Sequence, residues 1–171
     1  SNSLQPPKQF FLPQTDPIVA IERNGDGFCL SPLSVERAQT ILAMRSCDAR
    51  GMAYLRRMQA SDLPDAAYLR RADQVAVVTL ACTAPCTLGF CVCCDAGPFA
   101  RDGYDVQLVD LGDRFLAEEG TERGRAMIAG EPFRPATQAD LAQRGELERE
   151  AERHFGEETA HTPVHGPGGN R

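Results

Sequence analysis

Five of the seven cysteines in this 171-residue chain fall within a single stretch of thirteen residues. They are Cys82, Cys86, Cys91, Cys93 and Cys94. So many thiols in one short segment indicate a bound metal, a set of disulfides or redox chemistry. The segment therefore constrains the fold more than any other feature, because the rest of the chain must place these thiols around a common centre.

Disulfide bonds explain this cysteine pattern poorly. Cys93 and Cys94 are adjacent, and only one residue separates Cys91 from Cys93. Neither spacing suits an ordinary structural disulfide. The number of cysteines is odd, and the segment SNSLQPPKQF at the start lacks the apolar core of a signal peptide. These features predict a reduced protein in the cytoplasm.

Composition excludes two classes of function. The net charge is -6, whereas a nucleic-acid-binding protein needs basic patches. No stretch approaches the roughly 18 consecutive apolar residues of a membrane span. We therefore expect neither nucleic acid nor a membrane span among the interactions of this chain.

Strand and helix patterns alternate along the chain. Apolar, β-branched runs predict strands at 40–45 and 74–81, and helical spacing predicts a helix at 48–59. Asn24-Gly25-Asp26-Gly27 between two apolar runs predicts a hairpin. Further strands are expected at 104–110 and 114–118, and further helices at 64–71, 121–129 and 137–155. This order predicts a single α/β domain with a mixed central sheet and flanking helices.

The predicted domain spans residues 10–155. Residues 1–9 are polar and rich in proline, and we expect them to be flexible. Residues 156–171 are polar and contain several glycines, which predicts a disordered tail. Cys47 and Cys82 each follow a predicted strand, so parallel pairing of these strands puts both thiols at the carboxyl edge of the sheet, where α/β proteins bind ligands.

The spacing of the cysteines favours an iron–sulfur cluster over zinc. Four thiolates suit either centre. Zinc sites usually have two separated Cys-x2–4-Cys pairs, and here the second pair is compressed into Cys91-x-Cys93-Cys94. A [4Fe–4S] cluster accepts cysteines from a curled loop together with one remote ligand. Both centres stay open at this stage.

Three segments resemble motifs of a known family. Residues 42–49, LAMRSCDA, are similar to its G-V-R-P-C-D segment. Residues 82–98 contain C-T-A-P, F-C and G-P in the order of its C-T-E-P, C-F-C and G-T-G-P elements. Residues 103–113, GYDVQLVDLGD, resemble its G-Y-D-L-L-L-T-D-L-G-D segment. Over roughly residues 10–150, the chain resembles the N-terminal domain of the iron–sulfur β subunit of sulfhydrogenases and of the A subunit of anaerobic sulfite reductases.

The resemblance implies a set of cluster ligands. Cys47, Cys82 and Cys91 match family positions directly, whereas Gly89 stands where the family has another cysteine. The fourth ligand then comes from Cys86, Cys93 and Cys94. Cys86 is preferred because it gives ligands that are separated along the loop, and Cys93 is the next choice. The hydroxyls of Thr83 and Thr87 are expected to donate hydrogen bonds to sulfur, and Cys94 is expected to lie against the cofactor.

The implied function is electron transfer. The resemblance predicts one [4Fe–4S] cluster that relays electrons to redox partner subunits of a larger hydrogenase, sulfur reductase or sulfite reductase complex, without catalysis by this chain alone. Two alternatives stay open: a zinc-stabilised interaction module, and a thiol redox protein that uses Cys86 or the Cys93-Cys94 pair.

Three smaller expectations concern individual side chains. Cys29 lies between Phe28 and Leu30 in a predicted strand, so we expect it to be a small core residue. Arg45 is expected at the surface. Ser46 or Asp48 is expected to cap the helix that follows.

Overall fold

The computed structural model describes residues 6–32, 38–84, 86 and 91–158. The strands are β1 (Val19–Asn24), β2 (Gly27–Pro32), β3 (Gln39–Arg45), β4 (Val75–Leu80), β5 (Val106–Asp110) and β6 (Phe115–Glu119). The helices are α1 (Ser46–Gln59), α2 (Ala66–Asp73), α3 (Glu122–Met127) and α4 (Gln138–Glu158), with short 3₁₀ helices at Pro7–Phe10 and Cys91–Cys94. No helix in the described part of the chain is long and apolar enough to cross a membrane.

A four-stranded mixed sheet forms the centre of the fold. Its strand order is β3-β4-β5-β6, in which β3, β4 and β5 are parallel and β6 runs antiparallel to β5. Strand β4, with the sequence VAVVTL, is buried along nearly its whole length, as a central strand covered on both faces must be. The predicted α/β fold with a mixed sheet is confirmed.

Helices α1, α2 and α4 pack against the sheet. Side chains of α1 and α2, including Ala49 and Tyr68, join Val75 and Val77 of β4 in one buried cluster. Ala151 of α4 packs in a second cluster with Val109 of β5 and other buried residues. This arrangement fixes α1 against the carboxyl end of β3, where the first of the predicted ligands lies.

The starts of α1 and α2 differ from the sequence prediction, which put the start of α2 at residue 64 rather than at Ala66. Helix α1 begins at Ser46, with Arg45 in the N-cap position and no capping bond from a side chain, so the expected cap by Ser46 or Asp48 is wrong. In α2 the cap is Asp65, whose carboxylate accepts hydrogen bonds from the amides of Ala67 and Tyr68.

Helix α4 begins as the sequence predicts. The Thr137 amide donates to Asp140 at 2.8 Å and the Asp140 amide donates to the Thr137 hydroxyl at 3.2 Å, which is a reciprocal cap. The helix extends to Glu158, into the segment predicted to be a tail, and residues 159–171 lie outside the described part. Within the predicted flexible start, Pro7–Phe10 forms a 3₁₀ helix. The domain boundaries themselves stay a prediction.

The hairpin of β1 and β2 forms a separate two-stranded sheet. Cross-strand pairing puts Ile21 and Leu30 on one face, together with Phe28. These three side chains are exposed. Cys29 is exposed as well, so its assignment to the core is wrong. Its apolar neighbours indicate a strand, but this strand lies outside the packed sheet.

The amino end of the central sheet is closed by a buried carboxylate. Asp105 accepts hydrogen bonds from the Val77 amide at 2.8 Å and the Thr121 hydroxyl at 2.6 Å. Arg123 contacts the same carboxylate, with a shortest distance of 2.8 Å, and also donates to the Val75 carbonyl. Desolvation opposes ionisation of Asp105, but these donors outweigh it and lower the pKa of Asp105. The network ties β4, β5 and α3 together.

Candidate metal centre

The carboxyl edge of the sheet brings the first two predicted ligands to neighbouring positions. Strands β3 and β4 are parallel neighbours, with Arg45 opposite Leu80 at their ends. Cys47 is the second residue of α1, directly after β3, and Cys82 lies two residues beyond β4. The shared edge that the sequence predicts for these cysteines is therefore present.

The cysteine loop is fastened back onto this edge by the main chain. The Cys82 amide donates to the Pro98 carbonyl at 3.1 Å, which joins the two ends of the loop. Within the loop, the Ala96 amide donates to the Cys91 carbonyl at 2.8 Å. Beyond it, the Ala100 amide donates to the buried side chain of Gln107 on β5 at 2.7 Å. The 3₁₀ helix Cys91–Cys94 is thus held over the end of the sheet.

Gly97 allows the loop to lie directly against the start of α1. Its φ of +135° falls in a region that side chains rarely adopt. A Cβ atom at this position would lie 2.2 Å from the Ser46 hydroxyl oxygen. Only glycine therefore permits this approach, and Ser46 is the residue next to Cys47. The glycine brings the loop cysteines close to the remote one.

The cysteine thiols lie close enough for their charges to interact. The surrounding protein partly desolvates Cys47 and raises its pKa to about 11, although its side chain remains exposed, and the charges of Asp48, Cys91 and Cys82 add to this rise. Burial also raises the pKa of Cys91, with further contributions from Cys82 and Cys86. Four thiols from three chain segments thus form one electrostatic group. Their mutual repulsion as thiolates favours either protonation or a bound cation.

Hydrogen-bond donors already point at the sulfurs. The Asp48 amide lowers the pKa of Cys47, and the Val92 amide lowers the pKa of Cys91, in each case against the larger effect of burial. The guanidinium of Arg45 donates to Cys82 Sγ at 3.5 Å. Arg45 is half-buried, so its assignment to the surface is wrong. The sequence shows that Arg45 lies two residues before Cys47, but not on which face of the sheet its side chain lies.

The other predicted site residues that the structure describes follow Cys82 or share the segment of Cys91. Cys82 is buried, Cys91 and Cys93 are half-buried, and Cys47, Cys86 and Cys94 are exposed. Cys93 and Cys94 share the 3₁₀ helix of Cys91. Thr83 is exposed beside Cys82, and Thr87 lies outside the described residues. The ligand assignments themselves stay predictions.

The donor chemistry fits a thiolate-ligated centre. In the described residues, no three His, Cys, Asp or Glu side chains are arranged to hold a single metal ion. Thiolates with amide donors directed at their sulfur atoms are the surroundings that an iron–sulfur cluster requires, and such hydrogen bonds adjust its potential.

Comparison with known proteins gives one relationship. No protein-family model and no solved structure matches the chain. The sulfhydrogenase 2 subunit beta of Pyrococcus furiosus is 27% identical to it over 158 residues. This alignment covers 91% of the chain but 45% of the subunit, so the chain spans less than half the length of that relative. The chain is therefore related to a sulfhydrogenase β subunit.

Proposed function

We propose that this chain is the cluster-binding part of an electron-transfer subunit and carries one [4Fe–4S] cluster. Cys47, Cys82 and Cys91 supply three ligands. Cys86 supplies the fourth, because its charge acts on Cys91 across the loop. The observation that supports this proposal most is that the parallel pairing of β3 and β4 puts Cys47 and Cys82 at one edge of the sheet, where Gly97 brings the cysteine loop against Ser46.

The chain itself directs two main-chain amides at the proposed ligands. A [4Fe–4S] cluster supplies one-electron chemistry over a wide range of potentials. The start of α1 directs the Asp48 amide at Cys47, and the 3₁₀ helix directs the Val92 amide at Cys91. These donors favour the thiolate form that metal binding needs.

Partial exposure of the site suits electron exchange with another protein. Cys82 is buried on the side of the sheet, whereas Cys47 and Cys86 are exposed. One side of the centre is therefore shielded while the other faces outward. The relative is named as a subunit of a sulfhydrogenase. We accordingly propose redox subunits of an oxidoreductase complex as the donor and acceptor, in a reducing, cytoplasmic setting where free thiols persist.

Metal and sulfide analysis of protein purified without oxygen tests this function. We expect four iron and four sulfide per chain, with the broad visible absorption of thiolate-to-iron charge transfer. A colourless protein with stoichiometric zinc would instead support a zinc-stabilised interaction module. A metal-free protein that forms disulfides with oxidants would support a thiol redox role.

A further inference from the structure

The strand that leads to the predicted site contains a strained β-bulge. Ala43 of β3 has a φ of +60°, an uncommon value for a residue other than glycine. The register of β3 against β4 shifts at this position, because Leu42 pairs with Val78 while Met44 pairs with the next residue, Thr79. Bulges beside functional sites often redirect a side chain, and strain of this kind persists where the surrounding structure imposes it.

The bulge determines which face of the sheet carries Arg45. Side chains alternate along a strand, so one extra residue moves every later side chain to the other face. Because of the bulge, Arg45 pairs with Leu80, whereas the register of Leu42 against Val78, continued without a bulge, would put it opposite Ala81. Cys82 lies two residues beyond Leu80, so its side chain is expected on the same face of the sheet as those of Leu80 and Arg45. The result is the 3.5 Å contact between Arg45 Nη1 and Cys82 Sγ.

We propose that Arg45 is a positioning residue that raises the reduction potential of the centre by placing a positive charge against the Cys82 ligand. This inference rests on the proposed function. A guanidinium is always protonated, and here it is half-buried, so solvent screens its charge only in part. Reduction adds negative charge to the cluster, and a fixed positive charge beside a coordinating sulfur favours that state.

Potentiometric titration of the purified chain, with dithionite as the reductant, tests this inference. Arg45→Gln removes the charge and is expected to keep full iron and sulfide while shifting the midpoint potential downward. Arg45→Lys keeps the charge and is expected to restore most of the potential, a rescue that a purely structural role would not give. Arg125→Gln is the matched control, because Arg125 pairs with Glu119 in an exposed position at the other end of the sheet.

The outcomes separate this inference from the proposed function. An unchanged potential in a fully loaded Arg45→Gln variant would overturn the role of Arg45 and leave the cluster assignment intact. A potential that falls as far in Arg45→Lys as in Arg45→Gln would also overturn it. If Arg45→Gln fails to load, Arg45→Lys decides the matter: a potential close to that of the wild type supports the inference. Wild-type protein without iron and sulfide would overturn both proposals.

Discussion

The two ends of the central sheet shift the pKa values of their acidic groups in opposite directions. At the amino end, the Asp105 carboxylate accepts hydrogen bonds from Val77 of β4 and from Thr121 and Arg123 at the start of α3, and its pKa is lowered. At the carboxyl end, burial and neighbouring charges raise the pKa of Cys47 and of Cys91. One end is a closed network that stabilises the fold. The other end holds cysteines that repel each other as thiolates, and a bound cation would relieve that repulsion.

The largest expected effect at the carboxyl end is the loss of the cluster. Cys47→Ser replaces the remote thiolate with a poor ligand for iron, so iron and sulfide per chain should fall sharply or the cluster should convert to another type. Because Cys47 is exposed, the unfolding free energy of the metal-free protein should barely change. Elemental analysis and chemical denaturation measure the two quantities.

Cys29→Ser is the matched control for this variant, because Cys29 is also exposed but lies on the separate hairpin. It should retain the full iron and sulfide content. A Cys47→Ser protein with an unchanged spectrum would break the comparison, since the site would then be built from the loop alone.

The opposite result is expected at the amino end. Asp105→Asn removes the charge that Arg123 and Thr121 contact, and it should lower the unfolding free energy of the metal-free protein by about 3 kcal/mol. Glu119→Gln is the control, because its pair with Arg125 is exposed and should contribute little. Loss of the cluster in Asp105→Asn protein that is still folded would show that the two ends are not independent.

Lowering the pH should remove the contribution of Asp105 to the free energy of unfolding. Its folded pKa lies below the unfolded value of about 3.9, so the stabilisation is complete above the unfolded pKa. As the pH falls from there through the folded pKa, the stabilisation is lost. The difference in unfolding free energy between wild type and Asp105→Asn should therefore be constant near neutral pH and shrink below about pH 4. Denaturant titrations across this range measure it, and a difference that grows in acid would contradict the assignment.

A smaller effect is expected where the loop meets α1. Gly97→Ala forces a Cβ atom against Ser46 in addition to an unfavourable φ, and should cost about 2 kcal/mol or displace the cysteine loop. Gly112→Ala has a φ of +100° but no atom near the added Cβ, so it reports the backbone effect alone. Equal losses of stability in the two variants would mean that the contact with Ser46 is unimportant. Thermal or chemical unfolding of both metal-free variants gives the comparison.

The sequence predicts the central sheet well because its signals are local and strong. The apolar run of β4 and the helical spacing of α1 each indicate one structure, and their order implies the parallel pairing that puts Cys47 and Cys82 at one edge. The capping residues Thr137 and Asp140 likewise mark the start of α4. These features depend on residues that are close in the chain.

The errors arise where the outcome depends on distant parts of the fold. The apolar neighbours of Cys29 indicate a strand but cannot show whether another element covers it, and in the described structure that side chain is exposed. Nothing in the sequence marks Ala43 as the site of a bulge, because alanine has no preference for positive φ. Because the sequence does not reveal the bulge, it also does not reveal the face of the sheet on which the Arg45 side chain lies.

The parallel pairing of β3 and β4 also has a consequence for the order of biosynthesis. Cys47 and Cys82 are separated by α1 and α2 in the chain and become neighbours only when the two strands align. Such non-local contacts form after the entropy cost of closing the intervening segment has been met. If the proposed cluster is present, iron and sulfide can therefore enter a growing polypeptide only after the loop that follows β4 has emerged from the ribosome and folded.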